Sequence, residues 1–483
     1  MIKCETLLEK VSYTYVQGPQ NPDIDEVVHD SRKIRPGCMF VCIKGANADG
    51  HLFVEEAIEK GAVCIVTQQE LPDYAQASVT IIRVADTKSA MAHIAAAYYG
   101  YPADTLKVIG ITGTKGKTTT SYMVKSILEH AGHKVGLVGT IEVVIGKQHI
   151  PSGNTTPEPL LLHEYFAQML KAGCDMAVME VSSQGLKLHR THGITFDCGI
   201  FTNIKPDHIG PGEHDDFEEY MACKGRLFRQ CTLGIVNCDD ENQKNVTAGH
   251  TCELVTYGFH QNAEYRATDV RLLRDKDRMG VTFSLTGRKE LEVMLPTPGK
   301  FSVYNALTAI AVCDRYKVND KDILEGLARI FVKGRLEPVK YKDGIAVLID
   351  YAHNAMALES LLLTLKEYRP KRLICLFGCG GNRARLRRYE MGEVSGRLAD
   401  VTVITSDNPR FENPQDIIQD IVTGIKRTDG QYITIENRKD AIAYTLKNAR
   451  EGDLIVLAGK GHEQYQEIQG IRYPLDEREL IQR

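Results

Sequence analysis

The sequence predicts an α/β protein of three domains. These are a small mixed α/β N-terminal domain over residues 1–103, a central doubly wound α/β domain over 104–333, and a C-terminal open α/β domain over 334–483. Three observations carry this expectation. A chain of 483 residues is too long for one hydrophobic core. Short apolar runs of strand type alternate with helical patterns, which is the rhythm of a parallel sheet covered on both faces. That rhythm is interrupted near residue 101 and restarts near residue 334.

In the first domain, Met39–Ile43 and Val63–Thr67 read as strands, and Phe53–Lys60 between them as a helix. Tyr101-Pro102-Ala103-Asp104 reads as a linker, because proline and small residues break regular structure. The central domain opens with the apolar run Val108–Thr112 and a glycine-rich turn, then a helix carrying Met123, Val124, Ile127 and Leu128. Met176–Val181, Gly199–Ile204 and Gly234–Asn237 follow as strands. Residues 264–296 turn to strand-like alternation, as in Val281-Thr282-Phe283-Ser284-Leu285, and are expected as a β excursion on the same domain. Beyond 334, buried strands are expected at Ala346–Tyr351, Arg372–Phe377, Val401–Ser406, Tyr432–Glu436 and Leu454–Ala458. This last domain is Rossmann-like, and such sheets bind ligands at the carboxyl ends of their strands.

Apolar residues make up 43% and charged residues 25% of the chain, with a net charge of −4, as in an ordinary soluble protein. That balance argues against a general nucleic-acid or membrane-surface binder, so any anionic ligand must be held by local groups. The N-terminus MIKCETLLEKVSYTYVQG lacks the apolar core of a signal peptide, and no run is long enough for a membrane helix. A cytoplasmic protein with no membrane insertion is expected. The thirteen cysteines are then reduced thiols rather than a disulfide framework. Cys375 with Cys379, and Cys38 with Cys42, lack the second half of a zinc site.

The most informative local signal is Gly110-Ile111-Thr112-Gly113-Thr114-Lys115-Gly116-Lys117-Thr118-Thr119-Thr120, which follows a strand and opens a helix. Backbone N–H groups of such a loop wrap phosphate oxygens, aided by the helix N-terminus. Lys117 can reach the outer phosphates and the Thr118 hydroxyl can hold Mg²⁺. Ile111 stands where the strict phosphate-loop pattern has its first glycine, which is displaced to Gly113. A basic strand-to-helix turn is the bland alternative. A nucleotide alone does not separate kinase, motor, ligase or nucleotide-switched module.

The segment Thr112–Thr119 resembles the ATP loop of the Mur ligase family, and further motifs follow in that family's order along nearly the whole chain. Asp30-Ser31-Arg32, Lys44-Gly45 and Asp49-Gly50-His51 are similar to a uridine-nucleotide-binding domain. The branch with that domain adds the third residue of a muramoyl-peptide. Asn154-Thr155-Thr156-Pro157, Glu180-Val181-Ser182-Ser183, Thr202-Asn203, Asp207-His208 and Lys224-Gly225-Arg226-Leu227-Phe228 match central motifs. Asn305, Gly334-Arg335-Leu336-Glu337 and Asp350-Tyr351-Ala352-His353 follow. Gly378-Cys379-Gly380-Gly381, Asp407-Asn408-Pro409-Arg410 and Gly459-Lys460-Gly461-His462-Glu463 complete the set.

The resemblance implies an ATP-dependent, Mg²⁺-requiring ligase that is expected to be a monomer. It would phosphorylate the carboxylate of UDP-N-acetylmuramoyl-L-alanyl-D-glutamate and let an amino acid's amine attack the acyl phosphate. Gly113, Thr114, Lys115, Gly116, Lys117, Thr118, Thr119, Asn305, Arg335 and Asp350 would then bind ATP. His353 would join Lys117, Glu180, His208 and Lys224 in catalysis, and Thr118, Glu180, His208 and Lys224 would hold the metal. Lys224 can also be argued from spacing. It falls on the apolar helical stripe Phe217, Tyr220, Met221, Leu227 and Phe228, where burial disfavours an ammonium. The family's matching lysine is carbamylated by CO₂. Thr155, Thr156, Ser182 and Arg190 would contact the muramoyl-peptide, and Ser31 and Arg32 the uridine nucleotide.

Asp407-Asn408-Pro409-Arg410 matches the form typical of relatives that add meso-diaminopimelate, whose distal carboxylate a guanidinium can grip. Arg388, Gly459 and Glu463 would join that pocket. Cap, turn and ion-pair roles are the ordinary alternatives for these residues. Gln184, Pro211–His214, Asn354–Met356, Asn382, Ala384 and Tyr389 depart from common family residues. L-lysine, another amine, another peptide acceptor and a non-catalytic nucleotide-binding homologue therefore remain alternatives. A folylpolyglutamate synthetase should lack the Asp30–Arg32 and Asp407–Arg410 motifs, and Arg383 breaks a dinucleotide-binding fingerprint. Hinges are expected near 101–106 and 330–338.

Overall fold

A computed structural model of the protein describes residues 1–482 apart from 46–47, 73, 75–77, 211 and 276–277, so Pro211 lies outside the described residues. The chain forms two compact units, residues 1–260 with 311–317, and residues 261–310 with 318–483.

The first unit begins with a five-stranded sheet of Tyr13–Gln17 (β1), Glu26–Val28 (β2), Cys38–Val41 (β3), Cys64–Thr67 (β4) and Thr80–Val84 (β5). Its order is β1-β5-β4-β3-β2, and only β1 runs antiparallel to its neighbour. β3 and β4 are buried along their whole length, which is why the sequence shows unbroken apolar runs there. Helix Val54–Glu59 (α1) lies between them in the chain. Helix Thr87–Tyr98 (α2) starts where the Asp86 carboxylate accepts the Lys88 N–H at 2.8 Å.

The expected linker at Tyr101–Asp104 is corrected by the structure. Tyr101 takes a left-handed φ of 54°, and Pro102–Thr105 makes a helical turn (α3). Proline suits that first helical position, since its fixed φ fits and its missing N–H has no intrahelical partner to lose. Ala103 and Leu106 are buried in the core with Leu162 and Phe166.

The larger sheet of this unit contains Lys107–Thr112 (β6), Val135–Val138 (β7), Glu142–Ile145 (β8) and Gln148–Pro151 (β9). Met176–Glu180 (β10), Phe196–Phe201 (β11), Cys231–Asn237 (β12) and Glu253–Gly258 (β13) complete its share of the sheet. The order is β9-β8-β7-β10-β6-β11-β12-β13. Six strands from β7 to β13 are parallel, and β8 and β9 form an antiparallel edge. β6 is flanked by β10 and β11, both later in sequence, so the chain reverses its direction of travel there. Such a switch point opens a crevice at the strand ends. Helices Lys117–His130 (α4), Pro159–Lys171 (α5), Ser183–Lys187 (α6) and Phe217–Gly225 (α7) belong to the same unit.

The second unit contains an antiparallel meander of Tyr265–Asp275 (β14), Arg278–Gly287 (β15) and Leu291–Leu295 (β16); the strands follow the alternation over 264–296, but they fall in one compact unit with residues 318–483 and not, as expected, with the central strands. The Tyr368 hydroxyl donates to the Gly280 carbonyl at 2.7 Å and accepts from the Gly299 N–H at 2.9 Å. Arg274 donates to the carbonyls of Tyr368 and Gly452. The six-stranded sheet of this unit is ordered Glu337–Pro338 (β17), Ala346–Asp350 (β18), Asp453–Ala458 (β22), Arg372–Phe377 (β19), Val401–Ile404 (β20), Tyr432–Thr434 (β21). All its pairs are parallel except β17 with β18.

All thirteen cysteines are free thiols, and only Cys238 is not fully buried. Among the described residues no helix is long and apolar enough to cross a membrane. The α/β class holds in both units.

Candidate active site

In the first unit the loop after β6 is shaped by two glycines, Gly113 with φ 147° and Gly116 with φ 88°. A β-carbon on Gly113 would overlap the Thr202 hydroxyl. The end of β11 braces the loop from one side. The Asn203 carbonyl accepts from Thr114 N–H at 2.8 Å, and Asn203 Oδ1 accepts from Lys115 N–H at 3.0 Å. The Thr202 hydroxyl donates to the Lys115 carbonyl at 2.6 Å. These bonds fix the loop before α4 begins at Lys117, with Thr118 buried in its first turn.

Two lysines converge on the carbonyl of Gly113. Lys117 Nζ donates to it at 2.8 Å and to the Thr114 carbonyl at 3.2 Å. Lys224 Nζ, arriving from α7, donates to it at 3.0 Å. Lys224 is 1% exposed and lies 4.5 Å over the Tyr220 ring, whose hydroxyl is 3.0 Å from that of Thr114. Burial, reinforced by Lys117, holds its ammonium well below the usual lysine range. The apolar stripe therefore located a buried lysine correctly.

Glu180, at the end of β10, is 1% exposed and is neither a surface carboxylate nor a helix cap. Its oxygens accept from the Thr140 N–H at 2.9 Å and the Thr140 hydroxyl at 3.0 Å. That hydroxyl is also 3.0 Å from the Thr155 hydroxyl. The Thr156 hydroxyl accepts from Ser182 N–H at 2.9 Å and donates to the Glu180 carbonyl at 3.0 Å. Ser182 Oγ caps α6 by accepting from Gly185 N–H at 3.0 Å. Arg190 donates to the Thr156 carbonyl at 2.8 Å and pairs with Glu158. His208 is half-exposed with a left-handed φ of 56°, its Nδ1 3.0 Å from Glu213 Oε1. In the N-terminal sheet region, Ser31 and Arg32 sit in a turn capped by Asp30. The largely exposed Arg32 guanidinium grips Asp30 and holds its carboxyl at about 2.

In the second unit, Asn305 lies in the second turn of helix Lys300–Arg315 (α8) and is buried, and helix Ala355–Lys366 (α9) follows in the same unit. The Arg335 guanidinium stacks 4.7 Å over the Tyr351 ring, which also contacts the rings of His353 and His462. Asp350 shapes its turn by accepting from Leu336 N–H at 2.8 Å and Ala352 N–H at 2.9 Å. His353 Nδ1 is 2.8 Å from the Tyr351 carbonyl.

The expected amino-acid pocket divides into two kinds of cation. Arg388, in helix Leu386–Leu398 (α10), is 2% exposed, with both Glu412 oxygens at 2.8 Å and Asp420 Oδ2 at 3.0 Å. Burial opposes its charge, but these carboxylates outweigh that and raise its pKa. Arg388 was expected as a substrate contact, and the structure gives it a structural ion pair instead. Arg410 differs. Its Nη1 donates to the Gly381 carbonyl at 2.7 Å, and its Nε is 3.5 Å from Glu467. Asn408 is the hub of the segment. Its amide donates to Glu463 at 2.8 Å, and its Oδ1 accepts from Lys460 at 3.0 Å and from Glu467 N–H at 2.9 Å. The Asp407 carboxylate accepts from Asn408 N–H at 2.6 Å, and Gly459, with φ 107°, packs against it.

Thr140, Glu412, Asp420 and Lys460 escaped the sequence reading. Lys460 had a signal, since it sits inside the Gly459–Glu463 motif. Thr140, Glu412 and Asp420 had none, because their partners are set only by the fold.

Residues 23–99 match the Mur ligase family catalytic domain, 111–313 the Mur ligase middle domain, and 334–461 the Mur ligase glutamate ligase domain. A relative in Caldanaerobacter subterraneus subsp. tengcongensis is 44% identical over 96% of this chain and 95% of its own length. It is named UDP-N-acetylmuramoyl-L-alanyl-D-glutamate–2,6-diaminopimelate ligase. The chain belongs to the Mur ligase family. A Clostridium acetobutylicum relative named as ligase 1 of the same type is 42% identical over 99% of this chain and 98% of its own. A solved structure described as such a diaminopimelate ligase aligns over 99% of this Mur ligase and 98% of its own chain, at TM-score 0.72 and 27% identity. This Mur ligase is an ATP-dependent enzyme that forms amide bonds.

Proposed function

We propose that this ligase joins meso-diaminopimelate to UDP-N-acetylmuramoyl-L-alanyl-D-glutamate during peptidoglycan precursor synthesis, acting in the cytoplasm as a monomer. One observation carries the choice of amino acid. The Arg410 guanidinium donates one N–H to the Gly381 carbonyl and meets Glu467 only at 3.5 Å through Nε, so its remaining N–H groups are left to grip a distal carboxylate. The names of the full-length relatives point the same way. Residues 1–103 are assigned to the uridine nucleotide, 104–333 to ATP, and 334–483 to the amino acid.

The residue roles extend the motif assignments onto the geometry described above. Lys117 and the loop N–H groups of 113–119 are assigned to the ATP phosphates, and Asn305, Arg335, Asp350 and His353 to the nucleotide by their motifs. Thr155, Thr156, Ser182 and Arg190 orient the peptide acceptor beside Glu180, and Ser31 and Arg32 meet its uridine end. Asp407, Asn408, Gly459 and Glu463 frame the amino acid with Arg410, while Arg388 holds α10 in place.

Glu180, Thr118 and His208 offer hard oxygen and imidazole donors that suit Mg²⁺. The buried Lys224 amine, whose ammonium form burial disfavours, suits carbamylation, in which the neutral nitrogen bonds CO₂ and releases a proton. The resulting anion would give the metal site a further oxygen ligand. Bound Mg²⁺ neutralises charge on the phosphoryl group in transfer.

The test is phosphate release with ATP, Mg²⁺ and the muramoyl-dipeptide, adding meso-diaminopimelate or L-lysine. Release only with diaminopimelate supports the assignment. Release with lysine keeps the ligase and overturns the role of Arg410. Silence with both amino acids overturns the acceptor assignment.

A further inference from the structure

One group of metal-ligating side chains, with His214 and Cys223 buried and Glu219 partly exposed, takes no part in the cluster above. Glu219 and Cys223 lie four residues apart on α7, hence on one helical face. His214 lies just before the helix, anchored because its N–H donates to the His208 carbonyl at 3.0 Å. One ligand atom from each of the three residues lies within 4.8 Å of the other two.

The His214 ring is fully buried, and its Nε2 is 2.9 Å from Ser183 Oγ, which sets the ring's orientation. Its Nδ1 is buried without a hydrogen-bond partner and faces Glu219 Oε2 at 3.6 Å. That gap is too long for a hydrogen bond. It does match two ligands on one tetrahedral ion, since bonds of about 2.0–2.1 Å leave their ends about 3.4 Å apart. A buried imidazole nitrogen left unsatisfied costs free energy that a bound cation would recover.

We propose that His214, Glu219 and Cys223 form a second cation site, separate from the Mg²⁺ cluster, for a borderline-soft divalent ion of the zinc type. A nitrogen, an oxygen and a sulfur ligand select such an ion over Mg²⁺, which prefers oxygen alone. Binding converts the Cys223 thiol to a metal thiolate and releases its proton. Lys187 Nζ lies 2.8 Å from Glu219 Oε1 and 2.9 Å from Oε2. With the ion on Oε2, Lys187 keeps Oε1, an outer partner of the kind that ligating carboxylates carry. Ser183 fills the same role for the imidazole. The ion would pin His214 onto α7 and, through the backbone bond between them, steady His208 in the neighbouring site.

The test uses the full chain, stripped with a chelator and kept in excess Mg²⁺. Zn²⁺ should bind at one ion per chain by calorimetry, and the Co²⁺-loaded protein should show a thiolate-to-metal charge-transfer band. Cys223→Ser should remove the band, and His214→Gln should weaken Zn²⁺ at least tenfold. Ser183→Ala should weaken it by about tenfold through the outer shell. No Zn²⁺ uptake by the unaltered protein, or uptake equally tight in the Cys223→Ser and His214→Gln variants, overturns the proposal. Should those variants not fold, the cobalt spectrum of the unaltered protein decides, and absence of the band overturns the site.

Discussion

The two compact units treat several of their basic groups differently. In the second, cations are matched to carboxylates. Arg438 with Glu477 is a fully buried pair at 2.7 Å, Arg388 is held by Glu412 and Asp420, and the partly exposed Arg372 grips buried Asp453 at 2.9 and 2.5 Å. In the first, Lys224 and Lys117 rest on the Gly113 carbonyl, and buried His163 has no hydrogen-bond partner on either ring nitrogen. A cation matched to carboxylates is neutralised and serves as scaffold. Lys224, buried and resting on a carbonyl, has its ammonium disfavoured and so keeps a lone pair for an incoming group. The difference sorts the motif residues into those that hold the fold and those that meet substrate.

The largest effect should come from the carbonyl-held lysines. Lys117→Met and Lys224→Ala should each lower kcat/KM by about a thousandfold with little change in Tm, the scale of losing a preorganised charge. A short carboxylic acid should restore part of the Lys224→Ala activity, and undiminished activity without it would break the contrast. Next comes Arg388→Ala, which leaves Glu412 without its cation and Asp420 with Arg385 alone. It should cost about 3 kcal/mol in denaturant unfolding, at the low end for a broken buried pair because Glu412 is partly exposed. Loss of activity in that variant with unchanged stability would return Arg388 to the substrate pocket.

His163 gives a smaller, pH-dependent effect. Burial lowers its pKa from 6.5 to about 4. Above pH 6.5 it is neutral in both states and contributes nothing. As pH falls from 6.5 toward about 4, only the unfolded chain takes the proton, so stability is lost across that window. The loss should be about 2 kcal/mol by about pH 5. His163→Phe should flatten that part of a stability-against-pH curve, and an unchanged curve would remove the histidine from the account. The smallest effect is expected at Arg410→Lys. It keeps the charge but not the fork, so KM for diaminopimelate should rise about tenfold with Tm unchanged.

Much of the fold could be read in the sequence because its strands are buried on both faces. Runs such as Val108–Thr112 and Leu454–Ala458 appear within a residue or so of where the pattern put them. Lys224 was legible for a related reason, since a single charge on an apolar helical stripe stands out. Arg388 was not. Its motif position was visible, but Glu412 and Asp420 lie 24 and 32 residues further along, and only packing of α10 against helix Pro414–Ile425 (α11) brings them in. Thr140 holds Glu180 for the same kind of reason, as a residue of no special pattern at the end of a strand. The turn at Pro102 misled because proline both breaks a helix and begins one.

The tether on Arg410 has a wider consequence. Its N–H donates to the Glu467 carbonyl at 3.1 Å, and its own carbonyl accepts from Gln469 N–H at 2.7 Å. The residue is thereby laced to the surface hairpin of Tyr465–Ile468 (β23) and Ile471–Pro474 (β24). The guanidinium's aim is thus set by the register of a short exterior ribbon, far along the chain from the motif that names it. Lengthening that ribbon's turn by one residue would swing the arginine without touching its codon, a route by which preference among amino acids could drift while the recognisable motif stayed intact.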